Sequence, residues 1–243
     1  MSFYKYISDF YDRIFPFSVK KKNFFENFFT EQSGRFLDIG CATGELVFFA
    51  REAGWSCTGI DNDENLLAIA EEKNKEKGSG VNFQNIDMRE CGRNFNGESF
   101  DIVTSMGNTI VHLGSYGEIR DLAGEIFKIL KSGGSFIGQI MNYEKIIKNR
   151  GAKFPVFDDG KIQFIRKYEF SENEKRIKFR MKIGDVSEKK FFTSDVFLYP
   201  LTPGELNKIL SEAGFKKFDL YGSFAGEKFT PDSDTLIFKA VKG

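Results

Sequence analysis

From Arg35 onward, short apolar runs alternate with amphipathic segments, and this alternation limits the folds open to the chain more than any other feature. Five runs have the length and composition of buried strands: RFLDIG, SCTGID, VNFQNID, FDIVTSM and SFIGQIM. Three of the segments between them predict helices: GELVFFAREAG, ENLLAIAEEKNKEKG and YGEIRDLAGEIFKILKSGG, the last ending at Gly133–Gly134. Strands that alternate with helices favour a doubly wound α/β fold, in which helices cover both faces of a parallel sheet.

The alternation ends after the fifth strand, where three runs follow a period of two: KIQFIRKYEF, KRIKFRMKIG and KKFFTSDVFL. The polar turns SENE and DVSE separate these runs. In the middle run Ile177, Phe179, Met181 and Ile183 fall on one face, while lysines and arginines fall on the other. Such alternation predicts an antiparallel meander with one solvent-exposed face, inserted over about residues 154–200.

The two ends of the chain carry the remaining predicted elements. Segment 1–33 is expected to be helical, with Phe24, Phe25, Phe28 and Phe29 on one face. After the meander, TPGELNKILSEAG predicts a helix with threonine as its N-cap and proline in its first turn. FKKFDLY and TLIFKAV then complete a mostly parallel sheet of seven strands. A chain of 243 residues fits one such domain with an insertion better than two independent domains.

Composition narrows the classes of function. Lysine plus arginine equals aspartate plus glutamate, 35 each, so a basic surface for nucleic acid or an anionic membrane is not expected. No apolar run has the length of a membrane span, and the N-terminal residues are too charged for a signal peptide. The three cysteines lack metal-ligand spacing and the chain has one histidine, so no metal site is expected. Free thiols suit a reducing compartment, which favours a cytoplasmic protein.

The stretch LDIGCATGEL joins the first predicted strand to the first helix through a glycine-rich turn. Gly40 and Gly44 let the backbone turn tightly and let a ligand approach it. The helix that begins near Glu45 directs its first N–H groups towards the turn. Asp61 ends the second strand and Asp87 ends the third, at the same carboxyl edge of the predicted sheet. Ligands of open α/β sheets bind beyond that edge, and a carboxylate after the second strand suits ribose hydroxyls.

The turn suits a nucleoside that carries no phosphate. Its order Gly-Cys-Ala-Thr-Gly differs from the G-x-G-x-x-G of dinucleotide-binding proteins, and no G-x-x-x-x-G-K-[ST] occurs in the chain. Glu45 at the start of the helix would repel a pyrophosphate. A ligand with a ribose and no phosphate therefore fits better than a dinucleotide, which makes a nicotinamide oxidoreductase a distant alternative.

LDIGCATGEL resembles the first motif of class I S-adenosylmethionine-dependent methyltransferases, and GID, NID and TSMGN fall where later motifs of that family stand. The resemblance runs from about Arg35 to the C-terminus and implies a Rossmann-like fold with S-adenosylmethionine as cofactor. On the family pattern Asp38 and the glycine turn hold the methionine portion, Asp61 binds the ribose, and Asp87 with Met88 frames the adenine. The residues implied at the cofactor are, in chain order, Tyr11, Asp38, Gly40, Cys41, Ala42, Gly44, Asp61, Asn62, Leu66, Asp87, Met88 and Met106.

The segment MGNTIVHL, residues 106–113, contains the one histidine of the chain. It resembles the G-N-S-x-A-H-L stretch of glycine N-methyltransferases, and aminosugar N-methyltransferases carry a similar segment. MNYEKII, FLYPLT and the antiparallel insertion also resemble the glycine-type enzymes. This branch implies methyl transfer to an amine nitrogen of a small molecule. The implied catalytic residues are His112, as proton acceptor or orienting group, and Asn108, which would orient the acceptor through its side-chain carbonyl.

One position departs from the glycine-type pattern. Where those enzymes have an arginine that clamps the substrate carboxylate, this sequence has Met141, so a bidentate anchor is missing there. This departure argues against glycine itself as the acceptor, and Arg150 and Lys153 are candidate replacements for the clamp. The lysine run at 20–22 is a candidate partner for the cofactor carboxylate. Tyr11 is expected over the cofactor, with a place in the core as the alternative.

Several alternatives stay open at this point. The meander is expected to cover the acceptor as a lid or to form a homodimer contact. A regulatory or partner-binding protein that binds S-adenosylmethionine without catalysis is the alternative function. The [DNS]-P-P-[YF] motif of nucleic-acid amine methyltransferases is absent, because SMGN stands in its place. No carboxylate cluster for a metal-dependent O-methyltransferase can be assembled, so a small-molecule methyltransferase acting on nitrogen is the leading expectation.

Overall fold

The structure is a computed structural model that describes residues 7–30, 33–170, 175–187 and 189–243. Its main sheet is built from β1 (Arg35–Ile39), β2 (Ser56–Asp61), β3 (Asn82–Asn85), β4 (Phe100–Ser105), β5 (Leu130–Met141), β10 (Phe215–Tyr221) and β11 (Thr235–Lys242). Across this described sheet the seven strands lie in the order β10-β11-β5-β4-β1-β2-β3. Strands β1 to β5 are parallel, and β11 pairs antiparallel with both β5 and β10. The predicted seven-stranded, mostly parallel sheet is confirmed.

Helices cover both faces of this sheet. The described helices are α1 (Tyr11–Ile14), α2 (Val19–Glu26), α3 (Glu45–Glu52), α4 (Glu64–Lys77), α5 (Cys91–Asn94), α6 (Tyr116–Ile129), α7 (Tyr143–Asn149) and α8 (Pro203–Ala213). Leu37 and Ile39 of β1 belong to the core that contains α6 and α8, whereas Phe36 belongs to the core of α2, α3 and α4. Successive strand residues point to opposite faces, so β1 serves both cores. No helix in the described ranges is both long enough and apolar enough to cross a membrane.

One predicted boundary is wrong. Helix α6 ends at Ile129 and not at Gly133–Gly134, and β5 begins at Leu130 instead of Ser135. Leu130 already pairs with β4, and the register between the two strands shifts before pairing resumes at Ser135. Gly133 has a positive φ of 76° within this irregular stretch, a conformation that glycine adopts without a steric penalty. The glycine pair therefore belongs to a bulge in the strand and does not end the helix.

The predicted meander forms a second sheet. In the described residues it consists of four antiparallel strands, β6 (Phe157–Asp158), β7 (Ile162–Glu169), β8 (Ile177–Asp185) and β9 (Lys190–Leu198). Ile177, Met181 and Ile183 of β8 are buried, as the period of two predicts. The short edge strand β6 has no period-two signal and was not predicted. The predicted turn at 171–174 lies outside the described residues.

The N-terminal segment is helical but interrupted. Helices α1 and α2 are separated at Pro16, which has no N–H to donate and disfavours the helical conformation of the residue before it. Phe24, Phe25 and Phe29 are buried in the core of α3 and α4, as predicted. Positions 1–6 and 31–32 of the predicted segment lie outside the described residues.

A third core joins the N-terminal segment to the meander. Ile7 and Ile14 pack in one cluster with Phe164, Met181 and Ile183 of β7 and β8. Two segments that are far apart in sequence therefore lie against each other, and both reach the carboxyl edge of the main sheet.

Candidate active site

A cavity of about 420 Å³ lies at the carboxyl edge of the main sheet. It lies beyond β1 and β4, where the strand order reverses, which is the place at which open α/β sheets bind ligands. We name two of its walls by their elements. The glycine-loop side contains Asp38, Gly40, Cys41, Ala42, Asp61, Asn62 and Leu66, and the meander side contains Met141, Phe154, Arg166, Tyr168, Phe179 and Met181.

The glycine turn brings the backbone to the cavity. Gly40 has a φ of 75°, and a Cβ atom there would lie 2.5 Å from Cγ2 of Thr109, so only glycine fits. The N–H groups of Gly40 and Cys41 donate to the carbonyl oxygen of Ile60 at 2.8 and 3.0 Å. Gly44 is the N-cap of α3 with a φ of 84°, but it does not line the cavity.

Asp38 places a buried carboxyl group at the cavity. Its side chain is 4% exposed, and Oγ1 of Thr104 donates to its Oδ1 at 2.6 Å. The pKa of Asp38 is raised from 3.8 to about 7, mainly by burial and also by the nearby Asp61, while the hydrogen bond from Thr104 and the charge of Lys21 oppose the shift. A cationic group placed beside Asp38 would therefore favour its ionised form.

Asp61 is held by two backbone groups. Its Oδ2 accepts from the N–H of Ala42 at 2.9 Å, and its Oδ1 accepts from the N–H of Asp63 at 3.0 Å. Burial raises the pKa of Asp61, and these backbone donors oppose the shift. Each carboxylate oxygen has a further lone pair, so Asp61 can still accept from hydroxyl groups of a ligand.

One lysine of the predicted run reaches the cavity. Lys21 lines it, whereas Lys20 and Lys22 are exposed on α2. Burial lowers the pKa of Lys21, and the charge of Asp38 opposes this shift. The structure thus selects Lys21 from the three candidates as the cation beside Asp38.

The predicted adenine residues are only partly brought together. Asn62, Leu66, Met88 and Met106 line the cavity, but Asp87 does not. The carboxylate of Asp87 accepts from Nε of Arg89 at 2.9 Å and from Nη2 at 2.5 Å, and this hydrogen-bonded guanidinium lowers the pKa of Asp87. A neighbouring cation therefore satisfies the carboxylate that the resemblance assigned to the adenine.

His112 lines the cavity from the loop after β4. It ends the short 3-10 turn Thr109–His112 and is one of the residues that line the cavity. Neither ring nitrogen hydrogen-bonds to a residue that the structure describes. Desolvation by the surrounding protein lowers the pKa of His112. The imidazole is therefore neutral at pH 7 and able to accept a proton.

Asn108 holds the same loop in place. It adopts a φ of 71°, its Nδ2 donates to the hydroxyl of Tyr143 at 2.8 Å, and its Oδ1 accepts from the N–H of Met141 at 3.0 Å. The side-chain carbonyl expected to orient the acceptor is thus bonded within the protein. Asn108 connects the loop that carries His112 to the end of β5 and the start of α7.

The meander side contains a residue that the sequence analysis missed. Arg166 lines the cavity, whereas Arg150 and Lys153, the candidate replacements for an arginine clamp, do not. On β7 the inward positions of the period-two pattern include Phe164, Arg166 and Tyr168. A charged residue in an apolar series was the signal that could have identified it.

Residues 7–17, here called the N-terminal strap, line the cavity between the two sides. Asp12 accepts from Oγ1 of Thr43 and from Nζ of Lys73, both at 2.5 Å, which attaches the strap to the glycine-loop side. Arg13 pairs with Asp159 at the edge of the meander. The strap residues that line the cavity are Ile7, Tyr11, Asp12, Phe15 and Phe17.

The residues of the glycine-loop side, with the cavity-lining Lys21 and Met88, fit S-adenosylmethionine. Asp38 offers a carboxyl group for an ammonium and Lys21 a cation for a carboxylate, so the two ends of an amino-acid moiety both have partners. Asp61 can accept from ribose hydroxyls, and Leu66 and Met88 offer apolar surface for a base. This donor set matches a nucleoside joined to an amino acid and contains no cluster of cations for phosphate.

Comparisons with known proteins agree with this fit. Residues 36–134 match a family described as a methyltransferase domain. A glycine/sarcosine N-methyltransferase of Parasynechococcus marenigrum (strain WH8102) is 26% identical over 239 residues, which cover 94% of this chain and 82% of the relative. The crystal structure of an S-adenosylmethionine-dependent methyltransferase from Clostridium acetobutylicum ATCC 824 matches with a TM-score of 0.82 and 17% identity over 100% of both chains. An S-adenosylmethionine-bound amino pentose methyltransferase from Micromonospora echinaspora matches with a TM-score of 0.67 and 18% identity over 100% of this chain and 98% of that one.

The family match and the site geometry coincide. The matched residues run from β1 into β5 and include the glycine turn, Asp38 and Asp61. The structural likeness extends the shared fold over the rest of the chain, including the meander. The family match, the similar relatives and the site geometry together support a class I S-adenosylmethionine-dependent methyltransferase.

Proposed function

We propose that this enzyme methylates the nitrogen of a small-molecule amine, with His112 as the proton acceptor. The observation that carries the proposal is an imidazole of lowered pKa that lines the cavity and has no hydrogen-bond partner among the described residues. An alkylammonium ion has no lone pair and an unperturbed pKa of about 10, so an amine acceptor must lose a proton before it attacks. A neutral histidine at the cavity wall suits that task.

The protein contributes mainly position and exclusion of water. When bound, S-adenosylmethionine supplies an electrophilic methyl group on a sulfonium centre. Asp38, Lys21 and Asp61 would hold the cofactor, and Asn108 would fix the loop that carries His112 against β5. Holding two reactants in line can supply roughly 7–11 kcal/mol of the barrier, which makes the rigidity of these contacts part of the catalytic function.

The meander is proposed to act as a lid over the acceptor. Arg166, Tyr168, Phe179 and Met181 turn their side chains to the cavity wall, which supports the lid over the alternative of a homodimer contact for this face. We propose that the cofactor is bound by the residues that the family pattern implies, except Asp87. Gly44 would contribute through the conformation that it gives to the turn, since it does not line the cavity.

The compared proteins support nitrogen as the acceptor atom. One is named a glycine/sarcosine N-methyltransferase and another an amino pentose methyltransferase. Names of this kind do not favour the alternative of a non-catalytic S-adenosylmethionine-binding protein.

A methyl-transfer screen tests the proposal. The protein is incubated with S-adenosylmethionine and a panel of amines, each matched with the corresponding alcohol, and S-adenosylhomocysteine formation is followed together with the product mass. We expect transfer to at least one amine and none to its alcohol. Transfer only to alcohols, or no transfer by a protein that binds S-adenosylhomocysteine normally, would contradict the proposal.

A further inference from the structure

Arg166 is a cation in a largely apolar wall. It lies on β7 next to the inward-facing Phe164 and pairs across the sheet with Met181 of β8. Its guanidinium carbon lies 5.4, 5.1 and 5.2 Å from the ring centroids of Phe15, Phe154 and Phe164. Contacts of a guanidinium with aromatic rings are favourable, but they replace only part of the hydration that a buried cation loses.

The hydrogen-bonding capacity of Arg166 is mostly unused. Nη2 donates to the carbonyl oxygen of Pro155 at 3.3 Å. Nε is buried and has no hydrogen-bond partner in the structure as described. No carboxylate of the described residues lies within 4.0 Å of the guanidinium, and burial lowers the pKa of Arg166. A guanidinium has more N–H donors than these contacts use, so the group is ready to bind an anion.

The cofactor already has a cation for its own carboxylate. Lys21 of α2 lines the cavity and interacts electrostatically with Asp38 of the glycine-loop side, which places it at the end of the site assigned to the methionine portion. Asp12 of the strap pairs with Lys73, not with Arg166. Arg166 lies on the opposite, meander side, so its charge is left for a second anion.

We propose that Arg166 binds the carboxylate of the methyl acceptor, and that the acceptor is a carboxylate-bearing amine with an apolar or aromatic body. The inference rests on the proposed function, because it assigns this carboxylate to the amine that is methylated. A planar guanidinium can bind a carboxylate through two parallel hydrogen bonds. Phe154, Tyr168 and Phe179 offer aromatic surface beside it. Arg166 would thus provide, from the meander, the anchor that is missing at Met141.

Binding of a simple probe pair tests this assignment. Phenylacetate and its neutral counterpart phenylacetamide are titrated by calorimetry into the full-length protein saturated with S-adenosylhomocysteine. We expect phenylacetate to bind at least about tenfold more tightly than phenylacetamide, since a hydrogen bond to a charged group contributes about that much or more. Arg166→Gln should abolish the preference, and Arg166→Lys should keep part of it because the charge is retained.

Arg180→Gln is the matched control, because Arg180 lies on the outer face of β8 and pairs with Asp195 at 2.7 Å. It should bind both probes as the wild type does, and circular dichroism should show all variants folded. The assignment is wrong if the wild type binds the two probes equally or binds neither, or if Arg166→Gln keeps the preference. A tenfold loss of S-adenosylhomocysteine affinity in Arg166→Gln would also overturn it, because the residue would then serve the cofactor.

The two proposals fail in different ways. If the protein discriminates between the probes but methylates no amine, the proposed transfer to nitrogen is wrong, while carboxylate binding by Arg166 stands. If the protein methylates amines but binds both probes equally, the role of Arg166 is wrong, while the proposed transfer to nitrogen stands.

Discussion

Burial shifts the pKa values of ionisable groups in opposite directions on the two sides of the cavity. On the glycine-loop side the buried groups are acids, and burial raises the pKa of Asp38 and of Asp61. On the meander side the buried group is a base, and burial lowers the pKa of Arg166. His112 lies on the loop between the two sides, and desolvation lowers its pKa as well. Burial therefore makes the charged form of each of these groups less favourable, and a bound ligand of opposite charge would favour it.

The two sides also differ in what holds them. Backbone hydrogen bonds fix the glycine-loop side, such as those from Ala42 and Asp63 to the carboxylate of Asp61. Aromatic contacts dominate the meander side, where rings such as those of Phe154, Tyr168 and Phe179 pack 5.1 to 5.6 Å apart. Hydrogen-bonded backbone is specific in position, whereas packed rings can rearrange around ligands of different shape. The comparison predicts a cofactor site that tolerates few substitutions and an acceptor site whose specificity can be changed.

The largest effect is expected at the boundary between the two sides. His112→Ala should lower turnover of the amine found in the methyl-transfer screen by roughly 100- to 10,000-fold, the usual contribution of a general base. Its S-adenosylhomocysteine affinity should change by less than about twofold, because the cofactor contacts are assigned to the glycine-loop side and to Lys21. Steady-state kinetics and calorimetry measure the two quantities. Equal turnover in the variant would remove the proton-acceptor role.

The next effect separates two acids that the family pattern assigns to different parts of the cofactor, Asp61 to the ribose and Asp87 to the adenine. Asp61→Asn should weaken S-adenosylhomocysteine binding by about 10- to 100-fold, because hydrogen bonds to a charged group are lost at the ribose. Asp87→Asn is the matched control and should change affinity by less than about twofold, since Asp87 is paired with Arg89 outside the cavity. Equal losses of S-adenosylhomocysteine affinity in both variants would show that Asp87 also contributes to cofactor binding.

Asp38 makes cofactor binding depend on pH. Its pKa is about 7 in the ligand-free protein, so the carboxylate that an ammonium group requires is depleted as the pH falls below that value. We expect S-adenosylhomocysteine affinity to fall about tenfold between about pH 7.5 and about pH 6. Calorimetry at several pH values checks this, and Asp38→Asn should bind more weakly with a flat profile. A pH-dependent profile in that variant would assign the titration to another group.

The same shift has the opposite effect on the stability of the ligand-free protein. The carboxyl of Asp38 ionises near its ordinary pKa of 3.8 in the unfolded chain, but only near 7 in the folded protein. The folded state therefore holds the extra proton between these values, and this stabilisation is lost as the pH rises from about 4 to about 7. Thermal unfolding of wild type relative to Asp38→Asn over that range measures it.

The smallest effect is expected where the strap joins the glycine-loop side. Asp12→Asn removes the ion pair with Lys73, whose side chain is 22% exposed. Partly exposed pairs contribute up to about 1 kcal/mol, so S-adenosylhomocysteine should dissociate up to about fivefold faster in stopped-flow experiments. Glu52→Gln, which breaks an exposed pair with Lys77 on the outer surface, should leave the rate unchanged. Equal rates in Asp12→Asn and wild type would show that the strap does not limit release.

The glycine-loop side was predictable because its geometry is local. The alternation of strands and helices, the glycine that needs a positive φ at position 40 and the acid at the end of β2 are all properties of short stretches. Each of them has one structural solution in a doubly wound fold. The cofactor and the fold followed from these stretches and from the resemblance they carry.

The remaining features depend on contacts between distant segments. Whether Asp87 reaches the cavity depends on the conformation of Arg89, and which of three adjacent lysines lines it depends on how α2 packs. The end of α6 was misplaced because Leu130 prefers pairing with β4, a tertiary contact, over one more turn of helix. The sequence marks Arg166 only as a charged residue in an apolar series, and its position at the cavity depends on how the meander packs against the strap.

The strap contacts both sides of the cavity, since Asp12 binds Thr43 and Arg13 pairs with Asp159. One segment of the chain is therefore attached both to the glycine-loop side and to the meander. We therefore expect release of the product nucleoside and entry of a new acceptor to depend on the same segment, so that a substitution that strengthens either contact slows both.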